Sequence, residues 1–117
     1  MLLSKDSTYF SGILWSLLES VTPTDKLKEI ALSALQDLTR EDRSSAAAYL
    51  AYRFGTTFVK IAPELLNDVD LYVQFEAAIF LFDQNWAGAR IALERLQKTG
   101  PEDLSSRAGL ALLPPKS

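Results

Sequence analysis

Residues 77–89 read AAIFLFDQNWAGA, six apolar side chains from Ala77 to Phe82 followed by Asp83, Gln84 and Asn85. Six consecutive apolar positions cover every face of a helix, so a helix here must be covered on all sides. The polar stop, then Trp86 and a small-residue run, marks a turn into a second helix. The fold therefore hangs on what packs around this stretch.

Outward from it, helical periodicity dominates and alternating β-branched runs are missing, which predicts an all-α fold of antiparallel helical hairpins, about six to seven helices in one domain over residues 1–117. The first helix is expected from Asp6 to Ser20, with Phe10, Ile13, Leu14, Leu17 and Leu18 on one stripe. Thr24 is an N-cap for a second, Asp25 to Leu38, lined by Leu27, Ile30, Ala31, Ala34, Leu35 and Leu38. A third follows Thr39, Glu41 and Asp42 and runs to about Phe54, burying Ala46, Ala47, Leu50, Ala51 and Phe54. Gly55 suits a left-handed C-cap, and Thr56-Thr57 a new start. Pro63 should kink or break that fourth helix near Ile61-Ala62. A fifth spans about Asp70 to Asp83, a sixth Trp86 to Lys98, and a last short one runs from Glu102 to about Leu112, after the stop at Gly100-Pro101. Residues 113–117 read as a frayed tail.

Composition removes whole classes of chemistry. The chain has no cysteine and no histidine, which excludes disulfides, thiolate nucleophiles, histidine bases and zinc sites of N or S ligands. A net charge of −3 with scattered Lys and Arg gives no basic patch for nucleic acid or anionic lipid. The apolar centre Gly12 to Leu18 is far shorter than the ~20 residues of a membrane span, so a cytoplasmic protein is expected. The carboxylate pairs Glu41/Asp42, Asp68/Asp70 and Glu102/Asp103 fall at helix starts, where capping explains them without catalysis or a bound cation. The glycines are too dispersed for a phosphate loop. Arg40, Arg43, Arg53, Arg90 and Arg95 are expected on solvated faces or in helix-surface ion pairs, as Arg90 with Glu94. Enzymatic activity, cofactors and metals are accordingly not expected.

Between Asp70 and Asp103 the chain resembles a tetratricopeptide repeat, the 34-residue helix–turn–helix unit of stacked solenoids. Ala77 stands at a small position of the first helix, Phe80 at an aromatic one, and Asn85-Trp86 at the tight turn and its bulky follower. Ala89 occupies the small crossing position of the second helix, Leu93 its large apolar position, and Pro101 the terminating proline. Glu76 departs where leucine is usual, and Leu96 where a small residue is usual. Residues 47–55, AAYLAYRFG, echo residues 77–85 about one repeat upstream. An irregular helical bundle centred on residues 70–83 is the alternative architecture.

The resemblance implies a right-handed stack of hairpins whose first helices line a concave face. Leu71, Gln74, Phe75, Ala78, Leu81 and Phe82 would stand on it, extended by Tyr49 and Tyr52. Such an apolar groove would hold an amphipathic helix of a partner protein, unless the first and last helices of this chain fill it. Trp86 is expected to pack at the hairpin turn, while Trp15 could be core or anchor. In size and helix pattern the chain also looks like the small needle-subunit chaperones of type III secretion, which implies a needle subunit as partner and a small co-chaperone. An all-α immunity protein or antitoxin, blocking a toxin through an acidic surface, is the competing expectation. A structural subunit using the apolar face as an oligomer interface is a third.

Overall fold

The computed structural model describes residues 21–113, and among them it has six α-helices and no strand, an all-α fold. In chain order these are α1 Asp25–Gln36, α2 Arg43–Arg53, α3 Gly55–Leu65, α4 Leu71–Asp83, α5 Ala87–Thr99 and α6 Glu102–Leu112. The expected helix at 6–20, with Trp15, and the tail beyond Leu113 lie outside the described residues. The chain divides into two compact units, with the boundary between Phe58 and Val59.

In the first unit α1 packs on α2. Thr24 caps α1, its hydroxyl accepting from the Leu27 amide at 3.2 Å. Ala31, Ala34 and Leu35 of α1 are buried, as are Ala46, Ala47, Tyr49 and Leu50 of α2, so small residues dominate and the backbones can approach closely. Burial of Leu35 and Leu50 contributes about 1.5–3 kcal/mol each. The α1 stripe is narrower than its sequence suggests: Ile30 and Leu38 are 44% and 67% exposed, the latter because α1 ends at Gln36.

Where α1 gives way to α2, polar side chains close the backbone. Asp37 accepts from the Thr39 amide and hydroxyl at 3.1 and 2.6 Å, and the hydroxyl bond chiefly holds the Asp37 carboxyl below its usual range. Two expectations fail at this corner. Asp42 does sit at the N-cap of α2, yet its carboxylate is taken by the guanidinium of Arg40 in a two-pronged pair at 2.7 and 2.8 Å and makes no cap bond. Arg43 is 4% exposed rather than solvated, its Nε donating to the Leu35 carbonyl at 2.7 Å. A carbonyl in the last turn of α1 needs a donor from elsewhere, and a charged one at a helix C-terminus is favoured by the dipole as well.

At α3 one expectation is corrected and another is narrowed. Gly55 is not left-handed; it opens α3 directly after Phe54, with no positive φ at any described glycine. Pro63 does not break the helix, which continues to Leu65. The bond that proline removes would have gone to the carbonyl of Val59, a residue 37% exposed, and the Leu66 amide still reaches Ala62 at 3.2 Å.

The second unit contains α3 from Val59 onward together with α4, α5 and α6, and each of these last three packs on the other two. Asp70 caps α4, accepting from the Tyr72 and Val73 amides at 2.8 and 3.4 Å, while Asp68 accepts from the Asp70 amide at 2.9 Å. Capping therefore accounts for this carboxylate pair. Gly100 caps the end of α5, its amide donating to the Leu96 carbonyl, and the position has room only for glycine: a β-carbon there would lie 2.6 Å from that oxygen.

Arg43→Met keeps most of the buried volume and removes the donor to Leu35. It should cost about 1–3 kcal/mol, read as a lower urea midpoint with an unchanged slope; an unchanged midpoint would show that another donor replaces the guanidinium.

Candidate functional site

The turn between α4 and α5 organises the most distinctive surface of the second unit. As α4 ends, the Asn85 amide donates to the Phe82 carbonyl at 3.0 Å and the Trp86 amide to the Leu81 carbonyl at 2.9 Å. Asn85, between them, is left-handed at φ 63°, which completes a Schellman ending with asparagine where glycine is commonest. The chain thus reverses in two residues and Trp86 becomes the N-cap of α5, without a side-chain cap bond of its own. Ala77 and Ala89, the small positions of the expected hairpin, are both fully buried. The upstream echo does not extend to the turn, since Gly55, the counterpart of Asn85, is not left-handed and opens the next helix.

Trp86 is not core. It is 46% exposed, and its indole edge lies over Gly88, where a β-carbon would come within 3.3 Å of Nε1. One turn on, the guanidinium of Arg90 stands 5.5 Å from the ring centre of Phe82. Phe82, Asn85, Trp86, Ala87 and Arg90 enclose a shallow hollow of about 470 Å³. Sequence reasoning placed Phe82 on a binding face but assigned Trp86 to packing and Arg90 to solvent. The signal that could have joined them is the offset of four between Phe82 and Trp86, and again between Trp86 and Arg90, across an Asn turn with Gly88 leaving room for the indole.

The other expected groove residues are differently placed. On α4, Phe75, Ala78 and Leu81 are at most 1% exposed, Gln74 is half-buried and Leu71 is 37% exposed. On α2, in the first unit, Tyr49 is fully buried with its ring 5.9 Å from that of Phe54, while Tyr52 is 67% exposed under the Arg53 guanidinium. Gln74 is occupied structurally, donating to the Asp68 carbonyl and accepting from Arg95 at 3.4 Å. Arg95 also donates to the Leu66 carbonyl at 3.0 Å, tying α5 to the end of α3. The last helix supplies part of the cover over α4: the Arg107 guanidinium lies 4.5 Å above the Phe75 ring. Charged substitutions at Phe75 or Leu81 would therefore report on folding before binding.

Glu76, the departure from the repeat pattern, faces this same arginine. Its carboxylate is 3.9 Å from Arg107, and its side chain is 23% exposed. Burial pushes the Glu76 carboxyl above its ordinary range, with Arg107 opposing the shift. Beside it the Tyr72 hydroxyl donates to both oxygens of Asp103 at 3.0 and 3.1 Å, so the carboxylates opening α6 serve attachment as well as the helix dipole. Among the described residues no group of three or more His, Cys, Asp or Glu side chains is placed to hold a metal ion. No described helix is long and apolar enough to cross a membrane.

Asn85→Gly should be neutral or slightly stabilising, whereas Asn85→Val should cost about 1–2 kcal/mol because a branched side chain resists positive φ; thermal melts of the pair check this, and equal melting points would contradict the left-handed turn. Glu76 provides a pH test. The folded state holds its proton more tightly than the unfolded chain, so its stabilising contribution is complete below the ordinary carboxylate range and is lost as pH rises through the raised value. Glu76→Gln stays neutral and should gain on wild type in Tm as pH rises from about 4 to about 7; a difference that does not vary with pH would refute it.

Comparison of the chain with protein-family models, curated proteins and solved structures gives no match.

Proposed function

We propose that this chain is a non-enzymatic protein-binding domain that docks an amphipathic segment of a partner at the tip of the α4–α5 hairpin. The observation that carries the reading is Trp86: a 46% exposed indole beside Phe82 and Arg90, around a hollow, in a chain with no histidine or cysteine. Trp and Arg are the side chains most enriched among residues that dominate binding energy, and a concave setting lets them be desolvated together. The fully buried Ala77 and Ala89 support a tetratricopeptide-like helix pair as the scaffold. Of the binding modes expected from sequence, capture of an amphipathic helix, as by a secretion chaperone, suits the aromatic lining. Blocking a basic toxin would draw instead on exposed acidic residues such as Glu41 and Glu94.

Capture of partners from the native host, quantified for wild type, Trp86→Ala and Tyr52→Ala, tests the reading. Trp86→Ala should keep its fold by circular dichroism and lose at least about tenfold in affinity, while Tyr52→Ala stays near wild type. A folded Trp86→Ala protein that retains wild-type capture would remove the tip from consideration.

A further inference from the structure

The lining of the tip hollow is unbalanced in its polar chemistry. Of its five residues Arg90 alone is charged, and the Trp86 indole N–H and the Asn85 amide add neutral donors. Among the described residues the side chains of Asn85, Trp86 and Arg90 form no hydrogen bond or ion pair; the Arg90 guanidinium has only the face of Phe82. Stacking on a ring leaves the edge N–H groups of a guanidinium available, and those match a carboxylate in two-pronged fashion. The rest of the lining is Phe82, Trp86 and Ala87, which suit an apolar side chain.

We propose that the hollow takes a peptide segment in which an apolar side chain lies beside an Asp or Glu carboxylate, the first against Phe82 and Trp86 and the second on Arg90. This rests on the protein-binding reading above and specifies the partner's chemistry. Recognition is local, because a chain of net charge −3 does not attract an acidic partner from a distance.

The test uses the full chain, isotopically labelled, and two short blocked peptides: one with Asp residues flanking a Leu-Phe pair, the other with Asn in place of each Asp. The readout is the indole N–H resonance of Trp86, identified by its loss in Trp86→Phe. The Asp peptide should move that resonance and bind about tenfold more tightly than the Asn peptide, and Arg90→Gln should erase the difference. Equal affinity for the two peptides, or no movement with the Asp peptide at about 1 mM, overturns the proposal. Capture of a host partner that needs Trp86 but is unchanged in Arg90→Gln overturns the carboxylate assignment and leaves the binding reading standing. Capture indifferent to both substitutions overturns both.

Discussion

The hydrogen bond from the Trp86 amide back to the Leu81 carbonyl fixes the direction in which α5 leaves α4. It is made only because Asn85 accepts a left-handed backbone, which asparagine does more readily than most residues with a side chain. Everything along the hairpin follows from that exit angle. Near the turn it brings Arg90 over Phe82, and at the far end it brings Arg95 to Gln74 and to the Leu66 carbonyl. A different turn would change the register of all these pairs at once.

An all-round apolar helix such as α4 has the opposite requirement from a surface helix: it must find cover on every side. Part of that cover is a cation. Arg107 lays its guanidinium on Phe75 and its charge toward Glu76, so one side chain shields an aromatic ring and partly offsets the cost of burying a carboxylate. The first unit uses an arginine comparably, Arg43 reaching a backbone carbonyl in the last turn of α1. In both units a long basic side chain closes part of the core, over a backbone carbonyl in the first and over a ring and a carboxylate in the second.

The helices were legible in the sequence because their signals are local. Thr24 and Asp70 as caps, Gly100-Pro101 as a stop, and three- and four-residue apolar spacing placed α1, α2, α4, α5 and α6 to within about two residues. Misreadings arose where one local rule met a competing one. Gly55 is equally compatible with ending a helix and with starting one, while Pro63 leaves its helix unbroken, the lost bond partner lying on an exposed flank. The site was harder to see. Exposure of Trp86 and burial of Phe75 depend on how α5 and α6 pack on α4, which periodicity cannot tell for a helix apolar on all faces. The charge on Arg43 likewise argued for solvent, until the carbonyl it satisfies was known.

The attachment of α6 differs in kind from that of α5. Its buried residues are Leu104 and Ala108, whereas Leu110 and Leu113 are 68% and 62% exposed. Much of the remaining hold is polar and near the surface, through Tyr72 to Asp103, Ser105 to the Gln97 carbonyl, and Arg107. Its densest packing is against α5, so the last helix is held chiefly by its neighbour in sequence and only secondarily by α4. Because Arg107 of that helix covers the ring of Phe75 and faces Glu76, displacing α6 would wet an aromatic ring and a half-buried carboxylate in one event.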